Sequence, residues 1–424
     1  MGQQPKIEIP LDIPDVRVLS TKVLPNRELL LEVESTLTST TCRRCGQTIS
    51  NFYGYDRPIR LRHLPSFGFV VYSELQPKRF RCPFCDDHPT TTQKLSWYNP
   101  KSLHTRAYER SLLVQLVNST IADVCRKEDV SCDALQGIVD RWIESEVDWA
   151  RVPAFSTIGI DEIARRKGHG DFVALVTARL PTGELYPLAV LADRTKETLC
   201  SWLASIPPEI RQQIKTVCCD MWQAYVAAVR EQLPRAELVI DRFHVAQHYR
   251  DDADSLRKQE VKRLKQELSK EEATVLKKTL WPFRKRQKDL TEEEQGRLDK
   301  LFALSPQLKL AYDFREQLTA IFDTARSKAE GLRRIKAWRR KVEASALSCY
   351  EPFLKLLDTW LDLIANYFRQ RQNSGFVEGL NNKLKVLKRR CFGIYNLGHL
   401  FQRITLDLRG YQRFSPWQAA HPYI

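Results

Sequence analysis

The spacing of hydrophobic and polar positions changes several times along this 424-residue chain, and each change marks a part of it. Residues 36–95 read as short strands and turns, with the alternating stretch FGFVVYSELQ between two cysteine-bearing turns, CRRCG and CPFCD. From His104 to about Trp149 the spacing is helical and predicts three helices: TRAYERSLLVQLVN, TIADVCRKE and, after the break DVS, CDALQGIVDRWIESEV. Ile121, Val124, Leu135, Ile138 and Val139 can pack two of them across that break. This is the outline of a helix-turn-helix, whose second helix would offer its first residues to a major groove. After Pro153 the runs STIGIDEIA, DFVALVTARL and ELYPLAVLAD predict three strands with tight connections. A helix-like stretch from Lys196 to Ile214 follows, then the strand TVCCD, the helix MWQAYVAAVREQL and the strand AELVID. That order describes a mixed α/β sheet rather than a sandwich or barrel. Between about His244 and Phe368 the strand signal almost vanishes and Lys, Arg, Glu and Leu recur at helical spacing, which predicts an all-α insertion. The segment GFVEGLNNKLKVLKRRC is a further amphipathic helix, and there is no internal repeat or low-complexity linker.

Charge narrows the function. Lys and Arg total 67 against 52 Asp and Glu, a formal excess of +15 that favours a polyanionic partner, nucleic acid first, over a membrane or an acidic small molecule. With 43% apolar residues the chain can fill a substantial core, so disorder is not expected. No window approaches 18 uninterrupted apolar residues, and MGQQPKIEIPLDIPDV lacks the basic and apolar blocks of a signal peptide. The expected location is therefore cytoplasmic, with no membrane partner. Trp281, Trp338 and Trp360 lie in helical text and read as core residues rather than as base-stacking platforms.

In a long cytosolic chain, eleven cysteines point to reduced thiols or metal ligation rather than disulfides. Cys42, Cys45, Cys82 and Cys85 form two C-x2-C knuckles separated by residues 46–81. Four thiolates from two adjacent turns suit tetrahedral zinc, and a closed four-ligand sphere makes the site structural. His88 lies near enough in sequence to replace one ligand. Cys125, Cys132, Cys200, Cys218, Cys219, Cys349 and Cys391 are scattered through apolar or helical text and read as ordinary small core residues.

The acids carry the chemistry. Asp161 follows TIGI, Asp220 ends TVCCD and Asp241 ends LVID, so three carboxylates sit in or just beyond apolar strands. An unpaired carboxylate buried there costs several kcal/mol and needs a cation, a hydrogen-bond network or a metal. Glu378 lies instead on a helix whose stripe of Val377, Leu380, Leu384 and Leu387 leaves Glu378, Asn382, Lys385 and Arg389 on the other face. Such a helix can lie along a phosphate backbone, with Lys383, Lys385, Lys388, Arg389 and Arg390 neutralising phosphates. For a lone helix, a solvated surface with a Glu–Lys pair accounts for the same pattern. Acids converging from two strands and a helix suit two hard divalent cations, Mg²⁺ or Mn²⁺, which serve phosphodiester chemistry.

The strings GIDEIARRKGHGDFVALV, CCDMWQAYVAAV, IDRFHVAQH and VEGLNNKLKVLKRRCFGIYN strongly resemble the ISL3 family of bacterial insertion-sequence transposases, and the resemblance covers nearly the whole chain. It implies an RNase H-like core with a catalytic triad of Asp161 in GIDE, Asp220 in CCDMW and Glu378 in VEGLNN. Asp241 and His244, in DRFH, match a D-x-x-H signature beside the active site and take supporting roles, with Asp241 as the alternative second metal ligand. The fold class expected is multidomain α/β: an RNase H-like mixed sheet interrupted by an all-α insertion and preceded by a zinc module and a helix-turn-helix. The boundaries expected are an N-terminal segment (1–35), a zinc-binding module (36–98) and a helix-turn-helix (99–150), then the first part of the core (151–249), the insertion (250–367), and the final core helix with a tail (368–424). The resemblance further implies double-stranded DNA, both inverted-repeat ends and target, as partner, a dimer or higher oligomer on that DNA, and a place on the nucleoid. Two other functions fit the same chain: a catalytically silent, transposase-derived DNA-binding regulator, and an RNase H-like nuclease without strand transfer.

Overall fold

The hydrophobic pattern assigns no element to residues 1–35, yet Val16–Leu24 (β1) and Glu28–Ser35 (β2) form an antiparallel hairpin in the computed structural model. Only every fourth residue of β1 is even half-buried, and Val18, Leu19 and Val23 stay exposed, so no two-residue period marks it as a strand. The structure describes residues 11, 13–164, 172–345, 347–370, 375–391 and 394–415, without the side chains of residues 164, 370, 375–381 and 388. It divides into two units, residues 1–144 with 405–424, and residues 145–404.

In the first unit the strands Thr40–Thr41 (β3), Thr48–Ile49 (β4), Asn51–Tyr55 (β5), Ile59–Ser66 (β6), Phe69–Leu75 (β7), Lys78–Arg81 (β8) and Thr90–Thr92 (β9) follow β2. They make a sheet in the order β1-β2-β7-β6, a ribbon of β3 and β4, and a sheet β5-β8-β9. Leu31, Val33, Leu61, Val71 and Leu75 bury one face of the first sheet with Leu95 and Trp97. Three helices come next, Arg106–Leu116 (α1), Ile121–Glu128 (α2) and Cys132–Trp142 (α3). Each begins on a hydroxyl that accepts a first-turn N–H: Thr105 from Tyr108, Thr120 from Asp123, Ser131 from Ala134. The break between α2 and α3 is Asp129, left-handed at φ 51°. The third helix does not run on to Val147; Ile143 leaves it in extended conformation and is buried. Leu112, Leu116, Val124, Leu135 and Ile138 close a core that also takes in Leu406 and Phe414. Cys132, expected inside, is exposed, because it stands in the first turn of α3 away from that core, whereas Cys125 is buried.

The second unit is built on five strands, Thr157–Ala164 (β10), Phe172–Arg179 (β11), Leu185–Leu191 (β12), Thr216–Cys219 (β13) and Glu237–Ile240 (β14), ordered β12-β11-β10-β13-β14. The first three pair antiparallel, while β10, β13 and β14 run parallel. Lys196–Ser205 (α4), Pro208–Gln213 (α5) and Gln223–Gln232 (α6) supply the crossovers that parallel pairing requires. From β14 the chain enters Arg242–Glu267 (α7), then Leu280–Arg284 (α8), Glu292–Leu304 (α9), Pro306–Thr324 (α10), Lys328–Ala344 (α11), Glu351–Ala365 (α12) and Tyr367–Gln370 (α13). Gly375–Arg390 (α14) and Leu397–Phe414 (α15) are the last elements among the described residues, so a helix of 18 residues stands where a tail is expected. The chain is thus a mixed α/β protein of more than one domain.

Sheet and helices of this unit share one continuous core, from Ile158 and Cys219 through Tyr249 to Trp338, Phe353 and Phe368. Trp338 and Trp360 are buried, but Trp281, expected with them, is 67% exposed. Its helix α8 has five residues, and Pro282 and Phe283 take the inward positions, leaving Trp281 outside beside the guanidinium of Arg284. Gly331 marks the tightest approach: a Cβ there would stand 2.2 Å from the ring of Phe368, itself stacked on Phe322. Gly331→Ala is therefore expected to lower stability by about 1–3 kcal/mol, overpacking outweighing the gain of roughly 1 kcal/mol in helix propensity. Urea melts of the two proteins measure it, and a variant as stable as its parent contradicts the packing. Among the described residues no helix is long and apolar enough to cross a membrane.

Candidate active site and cysteine centre

Sheet register brings the aspartates together. Ile160 pairs with Cys219 and Cys219 with Ile240, so the next residue on each of three parallel strands is an aspartate: Asp161, Asp220 and Asp241. His244, in the first turn of α7, lies among them. Its Nε2 is 3.8 Å from Asp161 and 3.8 Å from Asp241, and its Nδ1 is 3.8 Å from Asp220. Burial opposes a charged ring, but the close carboxylates of Asp161, Asp220 and Asp241 outweigh it and push the pKa up to about 9. The imidazolium is thus the counter-ion of the acids at neutral pH. Asp161 and Asp241 are buried, while the Asp220 side chain is 32% exposed. Asp241 also caps α7, its Oδ1 accepting the Phe243 N–H at 2.8 Å. Glu378 falls on α14, beside α7 and β10, but its side chain lies outside the described residues.

Cysteines gather in the first unit. The Sγ atoms of Cys42, Cys45, Cys82 and Cys85 all lie within 4.8 Å of one another, with Cys45–Cys82 at 3.7 Å and Cys82–Cys85 at 3.6 Å. Thiolates about 2.3 Å from a tetrahedral zinc stand about 3.8 Å apart, so this set could hold such an ion. One knuckle is the turn between β3 and β4, closed by left-handed Gly46, whose N–H donates to the Cys42 carbonyl; the other joins β8 to β9. The Arg43 N–H donates to Thr91 Oγ1 and links the first turn to β9. Backbone N–H groups of Cys45 and Arg44 hold the Cys42 thiol down at about 6. His88 is not one of the four; its Nδ1 donates to the Cys82 carbonyl at 2.9 Å.

Comparison with known proteins decides the family. The model for ISL3 transposases, described as "Transposase", matches residues 158–404, the unit that carries the aspartates. The chain belongs to the ISL3 transposase family. A transposase for insertion sequence element IS1001 from Bordetella parapertussis is 25% identical over 92% of this chain and 94% of its own length. One for element IS1557 from Mycobacterium tuberculosis is 25% identical over 91% of this chain and 90% of its own. A solved Drosophila P element transposase strand transfer complex aligns at TM-score 0.41 and 10% identity over 72% of this chain and 92% of that one, too slight a likeness to carry an argument.

On the transposase's helix α14, Leu384 and Leu387 are buried and Lys385 and Arg389 exposed, with Lys383 and Arg390 between these extremes. The Lys388 side chain lies outside the described residues. One neighbouring group escapes sequence reasoning. Arg194 pairs with Glu162 at 2.9 Å and lies 4.3 Å from the ring of Trp222, whose indole N–H donates to the Arg194 carbonyl. Burial raises the Glu162 pKa against the charge of that arginine. The signal available was the acid next to Asp161; nothing in spacing pointed to Arg194.

Proposed function

We propose that this transposase cuts DNA at the ends of an insertion sequence and joins the freed 3′-hydroxyls to target DNA. The observation that carries this reading is the convergence of three aspartates on one imidazole, at 3.8 Å each. Carboxylates so close, two of them buried, suit a hard divalent ion, Mg²⁺ or Mn²⁺. When bound, a pair of such ions activates the attacking water or hydroxyl and stabilises the leaving oxygen. Asp161 and Asp220 are the proposed ligands from the sheet, with Glu378 from α14 as the third. Asp220 is preferred to Asp241 because its side chain is 32% exposed, whereas that of Asp241 is 4% exposed; each also accepts one backbone N–H, from Met221 and from Phe243 respectively. Three antiparallel strands followed by two parallel ones support an RNase H-like sheet.

Lys383, Lys385, Lys388, Arg389 and Arg390 on α14 neutralise phosphates near the cut. Zinc in the four-cysteine cluster holds the β3–β4 and β8–β9 turns together, and that module with helices α1 to α3 recognises terminal inverted repeats. An oligomer, at least a dimer, brings two ends together. The test is incubation of the purified chain with Mg²⁺ or Mn²⁺ and DNA carrying its own element ends. Insertion products are expected; cleavage without insertion indicates a nuclease, and binding without cleavage a regulator.

A further inference from the structure

A cleft of about 240 Å³ opens at the start of α1, and no carboxylate is among the described residues that line it. Arg106 and Arg110, both exposed and one helical turn apart, stand along it. The Arg106 side chain has no hydrogen bond or ion pair among the described residues, and the Arg110 guanidinium lies 5.4 Å from the centre of the Trp142 ring. Most first-turn N–H groups are used: Arg106 donates to the Trp97 carbonyl, Tyr108 to Thr105 Oγ1 and Glu109 to the Thr105 carbonyl. Ala107 also lines the cleft, and its N–H has no acceptor among the described residues. Trp97 supplies a second, independent sign. It lines the same cleft, is 4% exposed, and its indole N–H finds no acceptor among the described residues. A buried indole N–H normally has one.

Two guanidinium groups and two N–H groups without an acceptor therefore belong to residues lining a cleft that has no carboxylate among its described residues, at the positive end of a helix dipole. The neighbouring helix α3 cannot serve a phosphate in its stead. Its exposed face carries Asp133 and Asp140, and its single cation, Arg141, is committed to Glu109 at 2.6 Å. We propose that the cleft at the start of α1 binds one phosphodiester group of duplex DNA, with Arg106, Arg110 and the Ala107 N–H on its free oxygens. Such a contact fixes where α2 and α3 stand on the duplex and carries no sequence preference. The inference rests on the reading of this unit as DNA-binding.

The full-length protein is titrated against its element end and an unrelated duplex over a range of salt, as wild type, R106A and R106A/R110A. A second set of duplexes carries one neutral methylphosphonate at each backbone position in turn. R106A is expected to weaken binding to both duplexes by the same factor, and to shrink the slope of log affinity against log salt by about one. One methylphosphonate position should weaken the wild type and leave R106A/R110A unaffected, with thermal midpoints unchanged because both side chains are exposed. Variants with wild-type affinity and slope overturn the assignment while leaving DNA binding intact, as does a scan in which no position distinguishes wild type from variant. Inorganic phosphate that stabilises only the wild type, with such a flat scan, also overturns it by assigning the cleft to a free anion. A wild type that binds no duplex at all removes the DNA-binding reading and this site together.

Discussion

D161N is expected to leave the transposase folded and bound to its DNA ends while strand cleavage falls by roughly 10³-fold or more, the scale of losing a group that acts as a unit with others. Asp161 is 5% exposed and lies in β10, where its Oδ1 accepts the Glu162 N–H at 2.6 Å. Asparagine keeps that acceptor and the volume, and removes only the charge. What is lost is one carboxylate of the three around His244, and with it the proposed hold on a divalent ion. D220N should fail in the same way. D241N should retain more activity, because asparagine is as good a helix cap as aspartate for the Phe243 N–H. Gel-shift titration and cleavage of an end-labelled duplex read binding and chemistry separately. Cleavage by D161N at the parent's rate removes Asp161 from the catalytic set, and a D241N as inactive as D161N reverses the preference for Asp220.

What could be read from the sequence follows from which interactions are local. An aspartate that closes an apolar run stands out in TIGID, TVCCD and LVID because the cost of burying it is visible residue by residue. That the three acids share one end of one sheet depends on Ile160 facing Cys219 and Cys219 facing Ile240, a register that no single strand encodes. Helices α1 to α3 announce themselves through Thr105, Thr120 and Ser131, caps that precede apolar periodicity. Strand β1 sends no such signal, since its outward residues include Val18, Leu19 and Val23 and its pairing with β2 comes from the backbone. Trp281 fails for a different reason: composition says that tryptophan is usually covered, but a five-residue helix has room to bury only Pro282 and Phe283.

Removing metal from the cysteine centre is expected to unfold the knuckles with β3, β4, β5, β8 and β9, residues 40–55 and 78–92, and nothing in the β1-β2-β7-β6 sheet or the sheet of β10 to β14. The described core around the knuckles is very small: Cys42, Ile49, Phe80 and Cys82, with Cys85 against them. Strands of two and three residues, β3, β4 and β9, cannot hold a hairpin by themselves. A structural zinc site contributes about 10–16 kcal/mol in isolated zinc-finger peptides, far more than such a core can supply. Cys82 has the largest expected effect because it is fully buried and its sulfur lies 3.7 Å from Cys45 and 3.6 Å from Cys85. The parent should carry about one zinc per chain by elemental analysis. C82S should carry none and be cut by protease within residues 40–55 or 78–92, while D161N, which leaves the thiolates untouched, keeps both its zinc and its resistance. Acid should release the zinc as the thiolates take up protons, and protease sensitivity should rise over the same pH range. A metal-free protein that resists protease in these segments as the zinc-bound form does would show that the cysteines are packed thiols, and the short hairpins would then need another source of stability.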